Sequence, residues 1–360
     1  MFFVFALEFA SIDTSRAFFR AESRVSRDLA VLTANRTSGG LVVDAFSGTG
    51  ARAVRYATDL DCRVVANEPN LDSGLFENVR GLRVETRHED ATELLRSIKA
   101  DVVDADSFGL SFDVGAAVAA ANDRGIVLLA TTGAAAAGAG GPAGRRAMLA
   151  RLGATAGTPH NEIGLRILAG RAVASAAQAG DALVPLWCLY SPHGPVFRVA
   201  GRVFRRRKSA ARDLFHRYYR FVDDARPLDW DSLGAASGNV SGPLWTGPLH
   251  DRDTLADMTW DARDRGWLGG GVLEKTLTLM SAEVKDPALD AVPLAFSLDH
   301  VARLAGVRTP PRDDFARALQ TRGFRAAPTH LDRKALRTTA PLDACVRLAS
   351  ECYRSSSSSA

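Results

Sequence analysis

At 360 residues the chain is longer than one hydrophobic core comfortably fills, so two domains are expected. Its 46% hydrophobic and 24% charged residues are those of a soluble globular protein, and no run approaches the roughly 18 consecutive apolar residues of a membrane helix. Lysine and arginine (45) outnumber aspartate and glutamate (41) by a net charge of +4, too little to single out a partner unless the charge is concentrated somewhere.

In chain order, the opening "MFFVFALEF" is short, lacks a basic start and runs into Glu8, so it reads as a first strand rather than a signal peptide. Strands are then predicted at 40–46, 62–68, 82–90, 100–106, 125–132 and 183–191, most of them separated by ten or more helix-capable residues such as "ATELLRSI" after Asp90. That alternation predicts an α/β fold with a parallel sheet covered on both faces, to which 196–204 adds a late antiparallel strand. The Gly-rich segment 134–146 is expected to be a mobile loop at a strand end. The segment 202–220 sets arginines beside aromatics, which suits phosphate and base contacts; it is equally readable as a solvated helix face or linker, or as a nuclear address. Beyond it, 223–251 is turn-rich and helices are expected at 253–264, 287–306 and 312–323. The domains are set at 1–205 and 206–354, with a disordered tail at 355–360. Cys62, Cys188, Cys345 and Cys352 form no CxxC pair, which implies an intracellular, reducing compartment and no structural zinc.

The stretch "DAFSGTGARAVRY" (44–56) joins a strand end to a helix through Gly48 and Gly50, which allow close backbone approach beneath a helix N-terminus. "GTGARA" fits a dinucleotide fingerprint, and Glu68 ends the next strand where an acid grips ribose hydroxyls, so nicotinamide dinucleotide and S-adenosylmethionine fit these residues equally. Asp44 tilts the choice: a carboxylate there repels a pyrophosphate and attracts a sulfonium and an amino group. Asp90, with Ala91, is placed to receive an adenine amine. Any one of these acids could simply cap a helix; four at successive strand ends, Asp44, Glu68, Asp90 and Asp106, form a pattern. An acid followed by an aromatic, as in Asp106 and Phe108, suits a base-amine methyltransferase: the acid polarises the exocyclic N–H and the ring stacks on an extruded base. The same pair fits a helix-capping acid and a core phenylalanine equally well.

Taken in order, these residues resemble the tRNA (guanine-26, N2)-dimethyltransferase family. "FFRAESRVSRDLAV" (18–31) stands for its "F-Y-N-P…N-R-D-L", "DAFSGTGARAVRY" is similar to "DALSGTGIRGIRY", and "DSFG" (106–109) stands for "DPFG". Later, "NEIGLRILAG" (161–170), "GPLWTGPLHD" (242–251) and "RGFRAAPTHLDRKALRTTAP" (322–341) are similar to "E-x-G-x-R-I-L", "GPLWxGxLxD" and "GYxxSxTHxxPxxIKTxAP", so the blocks cover nearly the whole chain. The resemblance implies a Rossmann-like class I methyltransferase sheet with a smaller α+β C-terminal domain. It implies S-adenosyl-L-methionine contacts at Arg27, Arg52, Glu68, Asp90 and Ala91, alongside Asp44, Gly48 and Gly50, and a catalytic Asp106 with Phe108 nearby. It implies tRNA as partner, for which Arg205, Arg206, Arg207, Lys208, His330 and Arg337 are candidates on charge grounds, with no membrane and no obligate protein partner. Cytoplasm or nucleus is expected, with an organelle left open. Three departures stand out: Ser107 replaces the proline of "DPFG", the polar signature after the fifth strand is reduced to "TTG" (131–133), and the zinc cysteines that many relatives carry before "GPLW" are missing, so no metal is expected. Competing readings are a catalytically weakened tRNA-binding homologue and, less well supported, a nicotinamide-dependent oxidoreductase.

Overall fold

The valine-rich runs pair side by side as the periodicity predicts. In the computed structural model, residues 12–37, 40–107, 113–132, 161–191, 196–207, 217–222, 224–228, 239–290, 292 and 294–357 are described. The chain enters through helix α1 (Arg24–Ala34), followed by β1 (Leu41–Asp44), α2 (Ala51–Asp59), β2 (Arg63–Asn67), the short α3 (Leu75–Asn78) and β3 (Val84–Arg87). Then come α4 (Ala91–Ser97), β4 (Ala100–Ser107), α5 (Val114–Ala120), β5 (Ala121–Thr132), α6 (Asn161–Gln178), β6 (Ala182–Ser191) and β7 (Val196–Phe204). These strands form one seven-stranded sheet, order β3-β2-β1-β4-β5-β7-β6. β1 to β5 pair in parallel, and β7 runs antiparallel between β5 and β6.

Strand alternation sends neighbouring residues to opposite faces. Val42, Val102, Ile126 and Leu128 cluster with α1 and α2, whereas Val43, Val103, Val127 and Leu129 cluster with α4, α5 and α6. β3 is shorter than the 82–90 expected, because its polar, half-exposed Glu85 and Arg87 place it at the sheet edge. The predicted opening strand and the loop at 134–146 lie outside the described residues, as do the tail's last residues, 358–360.

Past β7 a small antiparallel sheet, order β10-β8-β9, is built from β8 (Arg217–Val222), β9 (Asp224–Leu228) and β10 (Asn239–Leu244). Helices α7 (Arg252–Asp264) and α8 (Val272–Lys285) follow; α8 was not among the helices expected from sequence. The expected boundary at 205/206 carries no break in packing. Leu255, Met258, Leu277 and Met280 share a core with Leu29, Leu32 and Trp187, so α7 and α8 complete the second face of the large sheet. The indole Nε1 of the fully buried Trp187 donates to Thr33 Oγ1 (2.7 Å), tying β6 to α1.

The helix expected at 287–306 is broken into α9 (Pro287–Asp290), β11 (Phe296–Ser297) and α10 (Leu298–Ala305). Between them the Ala295 amide donates to the buried Glu162 carboxylate (2.9 Å) instead of to a helical carbonyl. With α11 (Arg312–Thr321), β12 (Ala326–Pro328), β13 (Ala335–Thr338) and α12 (Leu342–Ser357), the last segment forms a separate α+β unit on a sheet of order β11-β13-β12. Its own core is centred on Leu298, Val301, Phe315, Leu336 and Leu348.

Candidate active site

Strand order reverses between β1 and β4, and in open α/β sheets ligands bind at the carboxyl ends of the strands flanking such a point. There the Ala45 amide donates to Asp104 O (2.9 Å) and the Ser47 amide to Asn67 O (2.9 Å), fixing the start of the glycine turn. Gly48 and Gly50 both take the left-handed conformation (φ 55° and 83°). A Cβ on Gly50 would lie 2.8 Å from Leu75 Cδ1, so both backbone and space require glycine. Glu68 accepts from the Gly48 amide (3.0 Å) and the Asn70 amide (3.1 Å), joining the end of β2 to the turn.

Beneath the turn is a buried charge cluster. Asp104 and Asp106, two apart on β4, share one face with Asp44 of β1, and two arginines meet them. Arg198 of β7, fully buried, donates from Nη2 to Asp104 Oδ2 (2.6 Å) and from Nη1 to Ser26 Oγ (2.8 Å), with Nη1 also 3.6 Å from Asp106 Oδ2. Arg52 Nη1 pairs with Asp106, and its Nε lies 3.6 Å from Asp104 and 3.7 Å from Asp44. Tyr56 donates its hydroxyl to Asp104 Oδ2 (2.6 Å). Burial, offset in part by Arg52 and reinforced by Asp104 and Asp106, pushes the Asp44 carboxyl up to about 6. Both Asp44 side-chain oxygens are buried without a hydrogen-bond donor. The same acids outweigh the burial cost on Arg52 and hold its guanidinium charged.

A pocket at this edge brings together Arg27, Gly48, Arg52 and Asp106 of the predicted residues, with Phe18, Phe19, Ser26, Phe46, Ser107 and Ser191 in its wall. Arg27 is buried and donates to the carbonyls of Arg20 (3.1 Å) and Ala21 (3.5 Å) while stacking on Phe19, so it shapes the wall. Asp90 caps α4, accepting from the amides of Thr92 (2.8 Å) and Glu93 (3.1 Å), with Ala91 buried behind it. Asp44, Gly50, Glu68, Asp90 and Ala91 are not part of the pocket's lining, and Asp44 is fully buried. Phe108 and Lys208 lie outside the described residues.

Three of the proposed RNA contacts need correction. Arg205 is used internally: it pairs with Asp181 (2.5 Å) and donates to the carbonyls of Val118 (3.1 Å), Ala119 (2.8 Å) and Ala121. His330 and Arg337 have buried side chains occupied by carboxylates, because the small C-terminal sheet packs them inward. Arg206 and Arg207 are exposed, yet β7 runs antiparallel and carries them to the edge of the sheet opposite Asp106. Six strand steps separate Arg198 from Phe204, the last residue of β7, a span of roughly 20 Å at about 3.3 Å per residue, and Arg206 lies in the turn beyond it.

The sequence reading missed Arg198, Asp104, Tyr56, Ser26 and Asn67. A visible signal existed for the first: a charged residue in the middle of the apolar strand "VFRVAG" demands a buried partner. Asn67, fully buried, ties the turns together by donating to Ala45 O (3.2 Å) and Glu89 O (3.1 Å).

A second buried network joins the later sequence blocks. Glu162 and Arg166 of α6 pair at 2.8 Å, and Arg166 donates to the carbonyls of Trp245 (2.9 Å) and Gly247 (2.8 Å). Arg337 bridges Glu162 (3.1 Å) and Glu283 (3.1 Å). His250, Glu283 and His330 bring potential metal ligand atoms within 4.8 Å of one another. Glu283 Oε1 already accepts from Thr329 Oγ1 (3.0 Å), the His330 amide (3.0 Å) and His330 Nδ1 (2.6 Å), and its other oxygen faces Arg337. A carboxylate so fully used, beside a guanidinium, is the hub of a hydrogen-bonded interior and a poor cation ligand. His330 Nε2 also meets Cys188 O (2.9 Å), which fastens this network to β6.

The strand order, the glycine turn at the switch point and the acids beneath it define a class I methyltransferase fold. A model of the N2,N2-dimethylguanosine tRNA methyltransferase family matches residues 7–349, and the chain belongs to that family. It is 28% identical to a tRNA (guanine(26)-N(2))-dimethyltransferase of Aeropyrum pernix, over 92% of this chain and 90% of that protein. To the one from Pyrococcus horikoshii it is 27% identical, over 92% of each. Its fold is similar to that of Pyrococcus horikoshii Trm1 solved in complex with S-adenosyl-L-methionine. There the TM-score is 0.77 at 23% identity, covering 94% of this chain and 96% of that one.

Proposed function

We propose that the protein transfers one or two methyl groups from S-adenosyl-L-methionine to the exocyclic N2 of guanine 26 in tRNA. The observation that carries this reading is Asp106 in the wall of the switch-point pocket, in a chain of the N2,N2-dimethylguanosine methyltransferase family. The donor set suits the cofactor: an acid without a donor at Asp44, a turn whose Gly48 and Gly50 are both left-handed, and Glu68 just past the end of β2. Bound S-adenosylmethionine supplies a methyl group on a sulfonium that leaves as a neutral thioether. Asp106 accepts the N–H of the guanine amine, holding its lone pair toward the pocket and taking up the proton released on transfer. Arg27, through the carbonyls it holds, and Phe19 shape the wall against which the base rests.

The exposed arginines, Arg206 and Arg207 among them, fit phosphate contacts to tRNA within the 206–354 segment. Among the described residues no helix is long and apolar enough to cross a membrane. The four free thiols fit a reducing compartment, cytoplasm or nucleus. The test is incubation with labelled S-adenosylmethionine and unmodified tRNA transcripts, followed by nucleoside analysis. N2-methyl- or N2,N2-dimethylguanosine at position 26 is expected from the wild type and none from Asp106→Asn. If tRNA and cofactor bind and no methylated guanosine forms, the weakened-homologue reading replaces this one, with the Ser107 departure as its cause.

A further inference from the structure

We propose that Arg198 is a positioning residue for Asp106, the fixed cation that aims the catalytic acid at its substrate. The inference rests on the reading of Asp106 given above. Strand register supplies the geometry: Asp106 of β4 lies opposite Ala130 of β5, and Ala130 lies opposite Arg198 of β7. The three therefore form one row across the sheet, and Ala130, the smallest chiral side chain, leaves the space over which the guanidinium reaches.

Arg198 is held at several points. Nη1 donates to Ser26 Oγ on α1 (2.8 Å), Nη2 donates to Asp104 Oδ2 (2.6 Å), and Nη1 stands 3.6 Å from Asp106 Oδ2. Asp104 is fixed in turn by Tyr56. Arg198 and Asp104 side chains are fully buried, while Asp106 retains 17% exposure toward the pocket. A fully buried guanidinium, hydrogen-bonded to Ser26 and Asp104, thus stands behind the one acid of the group that meets the cleft. Arg52, the other cation on Asp106, is 15% exposed and lines the pocket, so it is open to rearrangement when ligands enter; Arg198 is not. The charged groups that meet Asp106 are Arg52 from α2 and Arg198 from β7; Asp104 of β4 and Asp44 of β1 share these cations, and Tyr56 of α2 meets Asp104.

The test compares Arg198→Met, Arg198→Lys and Ser26→Ala with Asp106→Asn in the full-length protein. It measures single-turnover methylation of a tRNA transcript, with separate Kd values for S-adenosylmethionine and tRNA. Arg198→Met is expected to lower kcat about 100-fold, within the usual worth of a positioned acid or base, with both Kd values within about threefold of wild type. Arg198→Lys, which keeps a positive charge at the position, recovers part of the rate. Ser26→Ala lowers kcat by roughly threefold, the loss of one orienting hydrogen bond.

The proposal is overturned if Arg198→Met keeps the wild-type kcat, if Arg198→Lys recovers none of the lost rate, or if the loss in Arg198→Met is accounted for by weaker binding alone. Should Arg198→Met fail to fold, Arg198→Lys and Ser26→Ala decide: wild-type kcat in both overturns the proposal, and the graded losses support it. Asp106→Asn separates this inference from the reading beneath it. Wild-type activity in Asp106→Asn removes Asp106 itself from the mechanism, whereas an inactive Asp106→Asn beside fully active Arg198 variants removes Arg198 alone.

Discussion

His250 offers a measurable link between pH and stability. Its ring is buried, neither nitrogen has a hydrogen-bond partner, and the His330 ring stands 4.9 Å away edge-on. Burial, reinforced by His330, Arg337 and Arg166 and opposed by Glu283, lowers its pKa from 6.5 to about 3. A histidine whose folded value is depressed costs nothing above its unfolded value. As pH falls below 6.5 the unfolded chain takes up a proton that the native state refuses, so stability is lost progressively down to about pH 3. At pH 5 the difference is about 1.5 pH units at about 1.4 kcal/mol each, or about 2 kcal/mol. Glu283 and Glu162, whose carboxyls are held below the ordinary glutamate value of 4.5 by His330 and by Arg337 respectively against the cost of burial, contribute below that pH, outside the window. The assay is urea unfolding of wild type and His250→Gln at pH 7 and pH 5, read as the change in midpoint rather than its level. With an m-value of about 3 kcal/mol/M or more, the wild-type midpoint should fall by roughly 0.5 M more than that of the variant. Equal falls in the two proteins would refute the reasoning.

Other perturbations test neighbouring parts of the argument. Gly50→Ala forces a left-handed backbone and a 2.8 Å contact with Leu75 Cδ1. It should cost about 1–2 kcal/mol, visible as a lowered Tm, and weaken S-adenosylmethionine binding; an unchanged Tm would show that the turn relaxes freely. Arg337→Met strips the shared cation from the buried Glu162 and Glu283 and should destabilise by about 3–5 kcal/mol in chemical unfolding. A loss below about 1 kcal/mol would mean that the carboxylates are not held by this arginine. On the proposed reading, Asp44, raised to about 6, must ionise to face a cationic ligand, so cofactor affinity should fall below that pH. Calorimetric titration should show this slope in wild type and lose it in Asp44→Asn.

The large sheet was legible because its signal is local. Buried parallel strands read as valine-rich runs, and each predicted run from 40–46 to 196–204 overlaps an observed strand. The domain boundary was not legible, because α7 and α8 lie after the basic run in sequence and against α1 and Trp187 in space. Charge likewise marks arginines without saying which way they face. Arg206 and Arg207 remain outside, whereas Arg205 and Arg337 turn inward to carboxylates far away in sequence, Asp181, Glu162 and Glu283. Asp90 reads the same as a helix cap and as a ligand contact until its two amide donors are seen.

The candidate site was half legible for a related reason. Asp44 and Asp106 stand in sequence at strand ends, where ligand-binding acids are expected, but Asp104 sits inside its strand and the guanidiniums that balance the three come from α2 and β7. β7 is brought beside β5 by an antiparallel register that no spacing in the sequence announces. Three carboxyls face two guanidiniums, which leaves the buried group one positive charge short of neutrality, and the shortfall falls on Asp44, the acid whose oxygens have no donor. Such a site is completed either by a proton on Asp44 or by a cation entering from the pocket. A pyrophosphate would deepen the imbalance and a sulfonium ligand would remove it. The charge arrangement therefore chooses between the two cofactors that the glycine turn alone admits equally.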